Sequence, residues 1–247
     1  MNYKAIIFDV DGTLINKFDG KISNMVIKAV KKAKKKIHIS IATGRPRHAV
    51  EKIIKDLDLD GLAILCDGAQ IINLRTNEVL FQQEIEKEDF LKTLKIIKKF
   101  NCEYCILDDN RDISYKEKYT YKTPLSVFSF NLSDKLADNL IKELSILSNI
   151  SIYKIHKWGD QEKAGVVVSH IKATKQHAIL EYSKLLGINT HEIIGVGDSY
   201  NDFPMFMACG LRIAMGNAIN ELKEIADYIA PSVDEDGVVK VIEKFIL

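Results

Sequence analysis

At 247 residues the chain is long enough for one large domain, or for a core that carries an insert. With 47% hydrophobic and 28% charged residues, 13 Gly and 4 Pro, the composition is that of an ordinary globular protein and excludes disordered, collagen-like and coiled-coil chains. Thirty-five basic residues against 34 acidic ones leave a formal net charge of +1, which gives no reason to expect nucleic acid or an anionic membrane as partner.

The apolar run Ala5–Phe8 is the first predicted strand, followed by an amphipathic stretch over 22–36, a strand over Ile37–Ala42, a second amphipathic stretch over 46–57 and a strand over Leu62–Leu65. These runs are apolar at successive positions, without in-out alternation, so their strands are covered on both faces, as in a parallel sheet between helix layers. The same grammar returns near the end: a helix over 174–186 stopped by Gly187, a strand over Ile193–Val196, a helix from about 202, a strand over 211–214 and a closing helix over 235–246. The two pieces predict an α/β fold, a doubly wound parallel-sheet, Rossmann-like core.

Between them the pattern changes, with helices predicted over 87–100 and 133–148 and strands near 103–107, 125–130, 151–156 and 165–169. Loops longer than about 12–15 residues normally carry structure of their own. The division is therefore a core of 1–83 and 171–247 and an inserted α/β domain of 84–170. Cys66, Cys102, Cys105 and Cys209 are too few for a disulfide scaffold, and no stretch reaches the ~18 apolar residues of a membrane span. Reduced thiols, no membrane and a cytoplasmic location are expected.

The first strand runs into Phe8-Asp9-Val10-Asp11-Gly12-Thr13, where two carboxylates at i and i+2 point the same way. In an open parallel sheet, ligands bind beyond the carboxyl ends of the strands, so Asp9 and Asp11 face a site. Two such charges are tolerable together if a divalent cation neutralises one and the other carries a proton. An Asp-Gly turn with surface carboxylates accounts for Asp11-Gly12 alone, but not for the rest of the pattern.

The second strand ends in Thr43-Gly44-Arg45 ahead of a helix opening with Pro46. A hydroxyl and N–H, bare backbone and a guanidinium equip a helix N-terminus for phosphate. Read in isolation, the tripeptide is equally a Thr N-cap followed by a surface Arg. Near the other end, Gly195-Val196-Gly197-Asp198-Ser199-Tyr200-Asn201-Asp202 adds two acids to the same sheet edge. It is no dinucleotide fingerprint, because Tyr200 stands where the third Gly is needed and Asp198 would repel a pyrophosphate. Nor is Asp9-Val10-Asp11-Gly12 an EF-hand, since Gly arrives at the fourth position. Few side-chain ligands with positions left for water and phosphate suit Mg²⁺.

Asp9-Val10-Asp11-Gly12-Thr13, Thr43-Gly44-Arg45, a Lys before the last αβ units and Gly197-Asp198-Ser199-Tyr200-Asn201-Asp202 closely resemble, in order and spacing, the four motifs of the haloacid dehalogenase-like (HAD) phosphohydrolases. With Ala214-Met215-Gly216-Asn217-Ala218 and Ala226-Asp227, the insert after the second motif resembles the Cof-type branch, in which an α/β cap lies between motifs two and three. The resemblance implies Asp9 as the nucleophile that forms an aspartyl-phosphate and Asp11 as the acid/base. It implies a Mg²⁺ held by Asp9, Asp198 and the main-chain carbonyl of Asp11, with Asp202 completing or orienting that shell. Gly12, Thr13, Thr43 and Gly44 would hold phosphoryl oxygens. The third-motif Lys is followed by Ala and an aliphatic three and four residues later, which selects Lys175 over Lys172. Asn201 is a candidate support, and Arg45, Asp67 and Asn217 are candidates for substrate contact or support. Asp67-Gly68-Ala69 departs from the usual Asn-Gly-Ala and adds an acid near the site.

The expected function is a Mg²⁺-dependent phosphomonoesterase acting on a small phosphorylated metabolite, such as a sugar phosphate, with the cap supplying selectivity. A phosphomutase shares every core motif and is the alternative. A non-enzymatic receiver-like switch fits less well, because its acids are adjacent and its phosphoacceptor stands alone on a later strand. In the insert, Trp158, Tyr115, Tyr119 and Tyr121 are candidates for a pocket lining, packing being the commoner use of such aromatics. Cys102-Glu103-Tyr104-Cys105 has redox spacing without a thioredoxin-type setting and reads as two ordinary cysteines.

Overall fold

The computed structural model describes residues 3–16, 20–108, 110–157 and 160–247; Trp158 lies outside them. The chain opens with β1 (Ala5–Phe8), α1 (Asn24–Ala33), β2 (His38–Ile41), α2 (Arg47–Leu57), β3 (Leu62–Leu65), β4 (Gln70–Asn73) and β5 (Val79–Gln82). It continues with α3 (Lys87–Lys99), β6 (Glu103–Asp108), β7 (Arg111–Ser114), β8 (Pro124–Leu132), α4 (Asp134–Leu144), β9 (Ile150–Lys157) and β10 (Asp160–His170). It ends with α5 (Lys175–Leu186), β11 (Ile193–Gly197), α6 (Phe203–Ala208), β12 (Leu211–Ala214), α7 (Asn220–Glu224), β13 (Tyr228–Ile229) and α8 (Gly237–Phe245). Two compact units result: Met1–Phe81 with Thr174–Leu247, and Gln82–Ala173.

The first unit is built on a parallel sheet in the order β13-β12-β11-β1-β2. All four residues of β1 are sealed from solvent. Ala5 and Ile7 pack with Ala178, Ile179 and Tyr182 of α5 and with Met205 and Phe206 of α6. Ile6 and Phe8 point the other way and are equally buried, so the sheet is covered on both faces, the arrangement that uninterrupted apolar runs require. The β2 edge continues into β3 through a parallel bridge between Ala42 and Ile64. From there the chain turns back as the set β3-β4-β5, in which β3 and β4 are antiparallel.

The second unit has the sheet order β7-β6-β8-β10-β9, antiparallel throughout. Phe90, Leu94 and Ile97 of α3 and Ala137, Leu140 and Leu144 of α4 form one core with Ile106, Val127, Val166 and Val168 of the sheet. The insert is thus a two-layer unit. Its tyrosines pack: Tyr121 meets Phe90 edge-on at 5.0 Å, and Tyr104 and Tyr115 lie 5.4 Å apart. None of the four cysteines is in a disulfide.

Several details differ from the sequence expectation. β4, β5 and β7 lack an apolar run of four residues, and pairing with neighbours makes them strands. α2 starts at Arg47 with Pro46 as its N-cap residue. α4 stops at Leu144, with the Ser145 hydroxyl donating back to the Ile141 carbonyl at 2.7 Å. Among the described residues, no helix is long and apolar enough to cross a membrane.

Candidate active site

The acids gather because β1 and β11 are parallel neighbours in matched register, Phe8 opposite Val196, so that both strands release a carboxylate at the same sheet edge. The Asp9 N–H donates to the Val196 carbonyl at 2.9 Å. A tight turn then brings Asp202 back under Asp198: Asp202 Oδ2 accepts from the main-chain N–H groups of Asp198 at 2.8 Å and Ser199 at 3.0 Å. Asp9, Asp198 and Asp202, all buried, each present an oxygen within 4.8 Å of the others.

Lys175 enters from the first turn of α5, whose N-cap Thr174 accepts from the His177 N–H at 3.3 Å. Its side chain is 1% exposed, and Nζ donates to Asp9 Oδ1 at 2.6 Å and Asp202 Oδ1 at 2.7 Å. Lys172 is exposed, so of the two lysines weighed from the sequence only Lys175 reaches the acids. Gly68 (φ +105°) seats the helix start, since a Cβ there would lie 2.3 Å from the Thr174 carbonyl oxygen.

Burial pushes the Asp9 carboxyl up to about 7; Lys175 opposes this and Asp202 adds to it. Asp198 is pushed up to about 9, first by burial and then by Asp9 and Asp202. Burial alone would pull the Lys175 ammonium down, but Asp202, Asp9 and Asp67 around it outweigh that and hold it above the usual lysine range. One buried ammonium faces three buried carboxylates, an excess of negative charge that a divalent cation among oxygen ligands would neutralise. The donor set therefore fits such an ion. Gly12 (φ +89°) makes the approach possible, because a Cβ there would sit 2.1 Å from Asp198 Oδ2. The Thr13 hydroxyl donates to Asp198 Oδ1 at 3.3 Å.

A haloacid dehalogenase-like hydrolase family model matches residues 6–172 and 116–242, nearly the whole chain. The chain belongs to this family. YxeH of Bacillus subtilis, which carries a phosphatase name, is 30% identical over 99% of this chain and 99% of its own. The 5-amino-6-(5-phospho-D-ribitylamino)uracil phosphatase YcsE of Bacillus subtilis is 27% identical, covering 100% of this chain and 97% of that one. In fold, the HAD subclass IIB sugar phosphatase BT4131 superposes with a TM-score of 0.81 at 23% identity, over 98% of both chains. The protein is thus a phosphatase-type enzyme of the HAD family.

The remaining candidates occupy this HAD site in unequal ways. Asn201 Nδ2 donates to Asp67 Oδ1 at 3.1 Å, and the Asp67 carboxylate lies against Gly44. Asn217 Nδ2 donates to the Gly12 carbonyl at 2.8 Å, while its Oδ1 accepts from the Val233 N–H at 2.8 Å, which ties the loop after β1 to the loop before α8. Two expectations for Thr43-Gly44-Arg45 are corrected. The Thr43 N–H is no free phosphate donor, because it bridges β2 to β3 by donating to the Ile64 carbonyl at 3.1 Å. Nor is Thr43 an N-cap, since its Oγ1 accepts from the Arg45 N–H at 3.2 Å within its own turn. The Arg45 guanidinium turns to Asp11, a pairing that sequence spacing gives no sign of.

Proposed function

We propose that this HAD enzyme is a Mg²⁺-dependent phosphomonoesterase acting on a small phosphorylated metabolite of the sugar-phosphate class. The observation that carries the reading is Lys175 Nζ bridging Asp9 and Asp202 opposite Asp198. Lys175 holds Asp9 Oδ1, which leaves Oδ2 to attack phosphorus while the bond to the ester oxygen breaks. Asp11 supplies the proton that the departing alkoxide takes up. Water then attacks the aspartyl-phosphate, Asp11 takes its proton, and Asp9 and inorganic phosphate are released. Mg²⁺, held by Asp9, Asp198 and the Asp11 carbonyl, would neutralise charge on the transferring phosphoryl group.

The other groups position this chemistry. Asp202 spends Oδ2 on two N–H groups and Oδ1 on Lys175, so its work is to orient the Asp198 turn and the ammonium. The hydroxyls of Thr13 and Thr43, the main chain at Gly44, and Lys175 would receive phosphoryl oxygens, whereas the Gly12 N–H expected to do so is spent on the Ile15 carbonyl at 2.7 Å. The Gln82–Ala173 unit would supply selectivity. A panel of phosphorylated metabolites assayed with and without Mg²⁺ tests the reading. Mg²⁺-dependent release of inorganic phosphate is expected; isomerised ester without free phosphate would replace it with a phosphomutase.

A further inference from the structure

We infer that Arg45 is a positioning residue for Asp11 and makes no contact with the phosphate. The inference rests on the reading of Asp11 as the proton-transfer group. Placed after Thr43-Gly44 at the start of α2, Arg45 has the sequence setting of a phosphate ligand, yet its guanidinium is committed elsewhere. Nε donates to Asp11 Oδ2 at 2.9 Å and Nη2 to Asp11 Oδ1 at 2.6 Å, a two-pronged fork on the carboxylate. Nη1 donates to the Ala49 carbonyl at 3.3 Å, which anchors the fork on the first turn of α2. The Arg45 side chain is 9% exposed, whereas that of Asp11 is 33% exposed. Asp11 therefore keeps an open side toward solvent while its other side is held.

This geometry answers a specific need. Asp11 lies on a loop three residues past the end of β1, where a short side chain would sample several rotamers. A proton-transfer group has to meet the ester oxygen in one orientation. Bidentate pairing fixes the plane of the carboxyl group, and each oxygen keeps a second lone pair for the reacting proton. Lysine would keep the charge but could not form the fork.

The test is a double-mutant cycle on two esters, 4-nitrophenyl phosphate, whose leaving group departs without a proton, and an alkyl phosphate such as a hexose phosphate, whose leaving group needs one. Arg45→Ala is expected to lower kcat/KM on the alkyl ester by about 100-fold, the size of a general-acid contribution, and on the aryl ester by less than about tenfold. In an Asp11→Ala background, Arg45→Ala should cost less than about twofold more, as for residues acting as one unit. Competitive inhibition by inorganic phosphate should be unchanged. Arg45→Lys should behave more like Arg45→Ala than like wild type, and if Arg45→Ala fails to fold by circular dichroism the cycle is read with the Lys variant. Equal losses on both esters, additive loss with Asp11→Ala, or weakened phosphate inhibition would each overturn the inference and put the guanidinium on the phosphate. A wild-type enzyme inactive on both esters would sink the phosphomonoesterase reading itself, and this inference with it.

Discussion

Asp9 and Lys175 are joined so closely that their substitutions separate chemistry from folding. Asp9→Asn keeps the volume and can still accept from Lys175, but the amide is no anionic nucleophile. Turnover should vanish while the circular dichroism spectrum is retained, and activity within tenfold of wild type would remove Asp9 from its role. Lys175→Ala leaves two buried carboxylates facing each other without their cation, so it should abolish activity and lower stability by about 3–5 kcal/mol in urea unfolding. Exposed Lys172 should tolerate Ala with little change in either measure. A reversal of that ranking would mean that the buried bridge between Asp9 and Asp202 is not what the enzyme uses.

At the scale of the element, the site depends on where strands end and how the next turn is shaped. The loop after β1 must approach Asp198 closely, which Gly12 permits and a side chain would not. Gly12→Ala should push Asp198 away from Asp9 and disable the cation site before it unfolds the core. A binding readout that needs no turnover follows from the excess of buried acid. Mg²⁺ added to the wild type should raise its melting temperature by mass action, about 2.7 kcal/mol at one hundred times the dissociation constant. Gly12→Ala and Asp198→Asn should lose that rise. Asp198→Asn should melt no lower than wild type in metal-free buffer, because burial beside Asp9 and Asp202 already disfavours the charged carboxylate that the amide replaces. A full Mg²⁺-dependent rise in both variants would rule out Asp198 as a ligand.

For the whole molecule, the chain leaves the first unit after Phe81 and re-enters it at Thr174, one residue before the buried lysine. Excising the insert must therefore spare Thr174, whose hydroxyl caps α5 and whose carbonyl seats on Gly68. Replacing 82–173 with a short Gly/Ser linker should leave a first unit that folds and cleaves 4-nitrophenyl phosphate with Mg²⁺. It should lose most preference among natural esters, since binding energy from parts of the substrate remote from phosphorus sets selectivity. Sedimentation and circular dichroism are needed first, to establish that the linked first unit is folded and monodisperse. A folded excision variant with the full substrate ranking would place selectivity in the first unit.

The strands that carry the site were legible in the sequence because each is a short apolar run sealed on both faces, and the acids were legible because they follow those runs directly. β1, β3 and β12 coincide with the predicted runs to the residue. β4, β5 and β7 were not legible: Arg-Asp-Ile-Ser at 111–114 is a strand because β6 lies beside it. Periodicity reports burial, and β7, an edge strand that buries one residue in four, gives it little to report, whereas β4 buries three in four but has only two apolar residues between Gln70 and Asn73. The partners of the charged groups were likewise outside the reach of local pattern. Thr43-Gly44-Arg45 reads as a phosphate cradle, yet Thr43 spends its N–H on β3 and Arg45 its guanidinium on Asp11, 34 positions away in sequence. Local sequence determined which chemistry the chain could assemble, through residue type and the distance of each acid from a strand end. Only the tertiary fold decided which donor met which acceptor, because a long charged side chain can reach several partners and the one it takes depends on what the packing leaves within hydrogen-bond distance.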